Sequence, residues 1–136
     1  MAHSRQSGRI VTTAGIARRG DALFLARRSS EGTQHGKWEF PGGKCEAGET
    51  LAQCVEREFL EEFETPVTVG REIGRVPFAH GGDLFVLVGV EITFAHDPQK
   101  MHEHSETGWF TPAAAARLDL IDSDRELLAT IPGRLP

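Results

Sequence analysis

Cysteine is scarce in this chain, which carries only Cys45 and Cys54 among its 136 residues. The two form neither a Cys-x-x-Cys pair nor a zinc-binding spacing, so we expect reduced thiols rather than a disulfide framework. No apolar run approaches the length of a membrane-spanning helix, and the polar residues 1–9 lack the apolar core of a secretion signal. These absences argue against secretion and membrane insertion, and they predict a cytoplasmic protein.

Basic charge is also sparse, with 15 Lys and Arg residues against 20 Asp and Glu residues and a net charge of −5. The basic residues are scattered without interleaved aromatics, which argues against a surface for polymeric nucleic acid. A small anionic ligand held through a metal ion is compatible with this charge. The length, with 39% hydrophobic and 26% charged residues, predicts a single globular domain over residues 1–136.

Apolar runs separated by glycine turns indicate strands. Residues 10–17 and 22–26 flank a Gly-Asp turn, and residues 67–76 and 84–94 flank a second glycine turn, so each pair predicts a β-hairpin. A polar loop over 96–106 and a short strand over 108–110 follow the second hairpin. Strands in both halves of the chain, with helices between and after them, predict an α/β (α+β) fold built on a mixed sheet.

Three segments carry helix signals. Thr50 and Gln53 form a capping-box pattern, and apolar residues then recur at helical spacing to form a buried stripe, namely Ala52, Val55, Phe59 and Phe63. Residues 111–117 predict a brief helix that opens on a Thr-Pro pair. The last helix is expected to begin near Asp122 or Ser123.

The central helix carries a cluster of carboxylates. Glu58, Glu61 and Glu62 are three and four residues apart, so their side chains lie on one face. Like charges at this spacing destabilise a bare helix by roughly 0.2–0.5 kcal/mol per pair, a cost that Mg²⁺ or Mn²⁺ among the oxygens would offset. A solvated acidic face is the alternative interpretation.

The spacing around this cluster matches a known motif, Gly-x5-Glu-x7-Arg-Glu-U-x-Glu-Glu-x-Gly-U, in which U is apolar. The matching residues are Gly43, Glu49, Arg57, Glu58, Glu61 and Glu62. The chain therefore resembles the Nudix hydrolases, which cleave nucleoside diphosphates linked to another group. The stretch from Trp38 to Lys44 resembles the MutT branch. The resemblance covers most of the chain and implies an α/β/α sandwich with a mixed sheet.

The motif departs from the family pattern at its end, where Glu64 replaces the last glycine and Thr65 replaces an apolar residue. That glycine normally ends the helix in a left-handed conformation, which costs a non-glycine residue about 1 kcal/mol. Both departures lie beyond the last expected ligand, so they put the loop geometry in question and leave the carboxylates intact. Pro66 can end the helix in either case.

The resemblance assigns roles to the motif residues. It implies a metal site formed by Glu58, Glu61, Glu62 and the backbone carbonyl of Gly42, with Mg²⁺ as the expected ion and Mn²⁺ as the alternative. Arg57 is expected to pair with Glu49 and to orient the ligands rather than take part in the chemistry.

A general base is expected on the polar loop. Glu103 is the first candidate because it resembles the loop glutamate near the metals of MutT-type enzymes, with Glu106 and Glu61 as rivals. His102 and His104 flank Glu103, but a His-x-His pair without a further matched ligand does not indicate zinc. For these two histidines we expect phosphate contact or solvation.

Substrate contacts are predicted by comparison with MutT-type triphosphate pyrophosphohydrolases. Arg28 and Phe40 fall at positions that resemble substrate-contacting residues, with core packing as the alternative for Phe40, and Lys44 is a further candidate for substrate binding. Asp124 falls where MutT uses an asparagine to read oxidised guanine. An ionised aspartate only accepts hydrogen bonds, so it favours a donor-rich edge of cytosine or guanine.

The reaction expected from the resemblance converts a nucleoside triphosphate to a monophosphate and pyrophosphate. Oxidised dGTP, 8-oxo-dGTP, is the first expected substrate and CTP-type nucleotides are the second. ADP-ribose and nucleotide-sugar hydrolysis are further alternatives, whereas the lack of tyrosine counts against diadenosine polyphosphates. A non-catalytic nucleotide-binding module is disfavoured because all three helix glutamates are intact. The sequence carries no signal for the oligomeric state.

Overall fold

The computed structural model describes residues 2–29 and 34–131. Within these residues the chain forms seven strands and three helices. The strands are β1 Arg5–Gln6, β2 Arg9–Arg19, β3 Ala22–Arg28, β4 Trp38–Glu39, β5 Val67–His80, β6 Asp83–Phe94 and β7 His104–Phe110. The helices are α1 Leu51–Phe63, α2 Pro112–Ala115 and α3 Asp122–Thr130. None of the helices in the described ranges is long and apolar enough to cross a membrane.

All strands join in one mixed sheet, in the order β4-β3-β2-β6-β5, with β1 paired to β2 and β7 paired to β3. β2 and β6 run parallel, and the other pairs are antiparallel. β2 and β3 pair only near their hairpin turn, at Arg18 with Leu23 and Arg19 with Ala22. Closer to the start of β2, at residues 11–15, residues 41–45 replace β3 as the hydrogen-bonding neighbour. This divergence inserts a turn that contains Gly42 and Gly43, called the glycine turn below, into the sheet.

Helices cover both faces of the sheet. On one face α1 buries Val55 and Phe59, and on the other α3 buries Leu127. The side chains of β3 alternate between the two cores, with Phe24 facing α1 and Leu25 facing α3, as the two-residue period of a strand requires. The predicted mixed sheet and α/β/α sandwich are confirmed.

α1 begins and ends with defined caps. The Thr50 side chain accepts a hydrogen bond from the Gln53 N–H at 3.1 Å, and the Thr50 N–H donates to the Gln53 side chain at 2.9 Å, which confirms the capping box. At the other end Glu64 adopts φ 53° and ψ 37°, so a glutamate occupies the left-handed position that the family gives to glycine. Thr65 is buried and donates to the Phe63 carbonyl at 2.9 Å.

Several predicted boundaries change in the structure. Both hairpins form, but the polar loop over 96–106 is too long as predicted, because β7 already begins at His104, opposite Arg28 in β3. The buried stripe of α1 includes Cys54, while Ala52 is only half-buried. α2 ends at Ala115, earlier than the predicted residue 117, whereas α3 begins at Asp122 as expected.

Candidate active site

The glycine turn lies between β2 and α1 with no room for side chains. The Thr13 N–H donates to the Gly43 carbonyl at 2.8 Å, and the Gly15 N–H donates to the Pro41 carbonyl at 2.7 Å. A Cβ on Gly42 would overlap the Thr13 carbonyl, and a Cβ on Gly43 would overlap the Glu58 carboxylate. The glycine pair thus brings the turn backbone directly against the first carboxylate of the acidic cluster.

Arg57 organises the carboxylates on this side of α1. Its guanidinium forms two hydrogen bonds with Glu49, from Nε at 2.7 Å and from Nη2 at 2.9 Å. Its Nη1 donates to Glu58 and to Glu61, each at 2.9 Å, and its Nη2 donates to the Lys44 carbonyl at 3.0 Å. The hydrogen bonds from Arg57 hold the pKa of Glu49 below its ordinary value. Arg57 therefore connects α1 to Lys44 and to Glu49, near the two ends of the segment that precedes the helix.

Glu58 is a half-buried carboxyl group in a crowded acidic environment. Burial raises its pKa to about 7, with Glu61 and Glu103 adding to the rise and Arg57 opposing it. At neutral pH, ionisation of Glu58 is therefore incomplete without a further cation. A divalent ion beside this carboxylate would favour its charged form.

Glu62 is buried and binds the loop that leads into β7. Its carboxylate accepts hydrogen bonds from the backbone N–H groups of His102 at 2.8 Å, Glu103 at 2.7 Å and His104 at 3.1 Å. These three bonds hold the backbone of Glu103 next to α1, although the two residues are 41 positions apart. The structure thus adds a loop-binding contact to the expected ligand role of Glu62.

His104 is placed differently from the sequence expectation. Its side chain is only 6% exposed, its Nε2 donates to Glu39 at 2.7 Å, and its Nδ1 lies 3.0 Å from Glu62 without hydrogen-bond alignment. Burial lowers the pKa of His104, but the carboxylates of Glu39 and Glu62 raise it more, so the net shift is upward. The expectation of a solvated His104 is wrong. The side chain of His102 is exposed and contacts Glu64 at 2.7 Å.

A small cavity of about 30 Å³ lies between the glycine turn, α1 and the start of β7. Its lining includes the glutamates Glu39, Glu58, Glu62 and Glu103 and the glycine-turn residue Gly42. Hard divalent cations prefer oxygen ligands, so this donor set suits Mg²⁺ or Mn²⁺. In the described ranges no three such side chains already stand in metal-binding geometry. Glu61 does not line the cavity, and Glu106 lies 3.8 Å from Arg27 instead.

A larger cavity of about 530 Å³ adjoins the small one, and Arg28, Glu39 and Gly42 line both. The four residues predicted to contact substrate all line the large cavity, namely Arg28, Phe40, Lys44 and Asp124. Phe78 and Phe85 add a pair of stacked rings, with centroids 5.0 Å apart. A cavity of this volume, with aromatic and charged walls, can hold a nucleoside.

Asp124 is buried at the start of α3, where its carboxylate accepts the Phe40 N–H at 2.9 Å. Burial, with the nearby charge of Glu39, raises the pKa of Asp124 to about 8. A raised pKa favours the protonated form, and a protonated carboxyl both donates and accepts hydrogen bonds. The expectation that Asp124 only accepts hydrogen bonds applies to its ionised form and stays a prediction.

Neither Glu39 nor the buried contacts of His104 were expected from the sequence. Glu39 lies between Trp38 and Phe40, which are both buried. The alternation of a strand would therefore place the Glu39 side chain on the face away from these two residues, with no indication of a cavity there. Its partner His104 is 65 residues away, and no local pattern connects the two.

Comparisons with known proteins agree with this geometry. A family profile described as NUDIX domain matches residues 8–131. A CTP pyrophosphohydrolase from Escherichia coli is 32% identical over 119 residues, which cover 88% of this chain and 88% of that protein. A putative 8-oxo-dGTP diphosphatase 2 from Mycobacterium tuberculosis is 28% identical over 124 residues, covering 89% of this chain and 86% of that protein.

Solved structures give the same result. The solution structure of the E. coli ORF135 protein matches with a TM-score of 0.79 at 32% identity, covering 89% of this chain and 86% of that chain. Nudix hydrolases generally use divalent metal ions, which suits the carboxylates of the small cavity. Because the profile match spans the fold and two glutamates of the motif, Glu58 and Glu62, line the acidic cavity, the chain belongs to the Nudix family of hydrolases that act on phosphoric anhydrides.

Proposed function

We propose that the chain is a nucleoside triphosphate pyrophosphohydrolase that releases a monophosphate and pyrophosphate. The observation that carries the proposal is the shared wall of the two cavities, in which Arg28, Glu39 and Gly42 face both. A nucleoside in the large cavity would therefore direct its phosphates toward the carboxylates of the small one. The names of the relatives support 8-oxo-dGTP and CTP-type nucleotides as substrates.

Mg²⁺ is the proposed ion, with Mn²⁺ as the alternative, held by Glu58, Glu61, Glu62 and the Gly42 carbonyl. When bound, it would neutralise phosphate charge and acidify a water molecule. Glu58 and Glu62 line the small cavity, whereas Glu61 is held outside it by Arg57. Of the proposed ligands, Glu61 therefore has the largest side-chain movement to make.

Glu103 is the proposed general base. It lines the small cavity, and the hydrogen bonds from its backbone to Glu62 hold it there. A carboxylate in this position can take the proton from the attacking water. The rivals are less well placed, because Glu106 lies near Arg27 and Glu61 is bound by Arg57. Arg57 and Glu49 are proposed to orient Glu58.

Recognition of the base is proposed to involve Asp124, Phe40 and Lys44, with Arg28 reaching the phosphates. A protonated Asp124 offers one donor and one acceptor, and the Watson–Crick edges of both cytosine and guanine pair a donor with an acceptor. Adenine and uracil offer the same pairing, so a protonated Asp124 would not by itself select the base, whereas an ionised Asp124 would favour the donor-rich edges of cytosine and guanine. We also propose that the single-domain enzyme is cytoplasmic, in keeping with its two free, buried thiols.

The test is pyrophosphate release with Mg²⁺ from 8-oxo-dGTP, dGTP, CTP, dCTP and ADP-ribose. We expect strong preference for one triphosphate, and we expect Glu58→Gln and Glu62→Gln each to lower kcat at least about 100-fold, the upper end of the loss caused by outer-shell changes at metal sites. Glu56→Gln, an exposed glutamate on the same helix, is the matched control and should leave kcat unchanged.

Three outcomes would contradict the proposal. Absence of turnover on every nucleotide would favour a binding module, and turnover that is indifferent to both substitutions would exclude the acidic helix as the reaction centre. Preference for ADP-ribose or for a nucleotide sugar, added to the panel, would move the chain to another branch of the family.

A further inference from the structure

Glu39 stands in the wall that the two cavities share, and its side chain is 14% exposed. Among the residues that the structure describes, two side chains are within hydrogen-bond distance of its carboxylate, both at Oε2: His104 donates from Nε2 at 2.7 Å, and Arg28 donates from Nη1 at 3.4 Å. The shorter contact is the stronger one, so the imidazole has the larger part in orienting this carboxylate.

The ring of His104 is itself held in place from several directions. Its backbone pairs with Arg28 across β7 and β3, and its N–H donates to Glu62 at 3.1 Å. The ring stacks on Phe63 with an interplanar angle of 15° and a centroid distance of 5.8 Å. Because backbone pairing and stacking restrict the position of this ring, its hydrogen bond restricts the position of the Glu39 carboxylate.

The carboxylate of Glu39 faces the same cavity as Asp124. The two groups are neighbours, because Asp124 accepts the N–H of Phe40, the residue that follows Glu39. Amino and imino groups of bases are read by acceptors at defined positions. If Glu39 turned away, the large cavity would present a different set of acceptors to the base.

We propose that His104 is a positioning residue for base selectivity, which acts by holding Glu39 toward the nucleoside cavity. The inference rests on the proposed function in that the large cavity is taken as the nucleoside site. His104 itself is not expected to touch the base, because it lines the small cavity and not the large one.

The test is calorimetric binding of CMP and 8-oxo-dGMP to the full chain in EDTA, with the ratio of the two dissociation constants as the readout. His104→Leu keeps apolar contact with Phe63 but removes both ring nitrogens, and we expect it to change the ratio about tenfold, the effect of one hydrogen bond to a charged group. His104→Gln, whose amide can donate to Glu39, should restore most of the wild-type ratio. The double variant with Glu39→Gln should change the ratio no further than either substitution alone.

His96→Leu, at an exposed histidine after β6, is the matched control and should leave the ratio unchanged. A merely structural role of His104 would weaken both monophosphates equally, and an unchanged ratio in His104→Leu would overturn the inference. Additive effects in the double variant, or a wild type that binds neither monophosphate, would also overturn it. If His104→Leu does not fold, Glu39→Gln alone must shift the ratio. Binding in EDTA is independent of turnover, so failure of the proposed reaction is recognised separately by the pyrophosphate assay.

Discussion

The two adjacent glycines of the turn are required for different reasons. Gly42 faces the backbone of Thr13, which cannot move without breaking the sheet, whereas Gly43 faces the end of the Glu58 side chain. A side chain at Gly42 would therefore disturb the fold, and one at Gly43 would mainly displace the carboxylate. The same turn thus links a packing requirement to a chemical one.

Asp124 gives a prediction about pH. Its pKa is raised to about 8 in the folded protein, above the ordinary value of 3.8 that the unfolded chain should show. The folded state then binds more protons than the unfolded state between these values, so this group lowers the free energy of unfolding as pH rises. Asp124→Asn keeps an acceptor for the Phe40 N–H but cannot ionise. We expect its melting temperature relative to wild type to increase steadily from pH 5 to pH 8.

The control for this prediction is Asp122→Asn, at an exposed carboxyl group in the same first turn of α3. Its melting temperature relative to wild type should be constant over the same range. Thermal unfolding at several pH values, without metal, measures both variants. A difference between Asp124→Asn and wild type that does not depend on pH would mean that Asp124 is ionised in the folded protein.

At the scale of elements, α1 has a well-matched start and a strained end. The capping box satisfies the backbone at Thr50, but Glu64 holds a left-handed conformation at the other end. The side chain of Glu64 partly offsets this strain, because it contacts His102 at 2.7 Å and lies 3.9 Å from Lys100. The departure from the family motif is therefore accommodated at the end of α1, and Glu58 and Glu62 still line the small cavity.

Two substitutions at Glu64 separate the strain from the contact. Both Glu64→Gly and Glu64→Ala remove the contact with His102, but only glycine relieves the left-handed backbone. We expect Glu64→Gly to be more stable than Glu64→Ala by about 1 kcal/mol, measured by urea unfolding. Equal stability of the two variants would show that the loop after α1 relaxes to a different conformation when the side chain is shortened.

The elements that could be predicted from the sequence are those with local signals. The capping box, the apolar stripe of α1 and the glycine turns of both hairpins are short-range patterns, and the spaced charges of the motif identify the family. β7 begins at His104, earlier than predicted. The sequence did not indicate this start because residues 104–107 are polar and lack the apolar alternation of a strand. The contacts of His104 depend on strand register across the sheet, which no local pattern specifies.

At the scale of the molecule, the sheet separates a core under α1 from a core under α3, and the candidate site lies where the two halves meet. α1 supplies Glu58 and Glu62 to the small cavity, and the start of α3 supplies Asp124 to the large cavity. The glycine turn and β4 form the wall between them. The family profile covers residues 8–131, and the expectation of one domain over residues 1–136 stays a prediction.

The hydrogen bonds from the backbone of residues 102–104 to Glu62 attach the start of β7 to α1, and their contribution can be tested without metal. In Glu62→Gln the side-chain amide presents its own donors to the N–H groups of residues 102–104, so the loop should lose part of its attachment to α1. We expect hydrogen exchange of these amides in EDTA to accelerate about tenfold, as for the loss of about 1.4 kcal/mol of local stability. Glu61→Gln, at the neighbouring glutamate that Arg57 holds, should leave their exchange unchanged. If the protection of residues 102–104 persisted in Glu62→Gln, the pairing of β7 with β3 would suffice to hold Glu103 beside the cavity, and Glu62 would act there as a metal ligand alone.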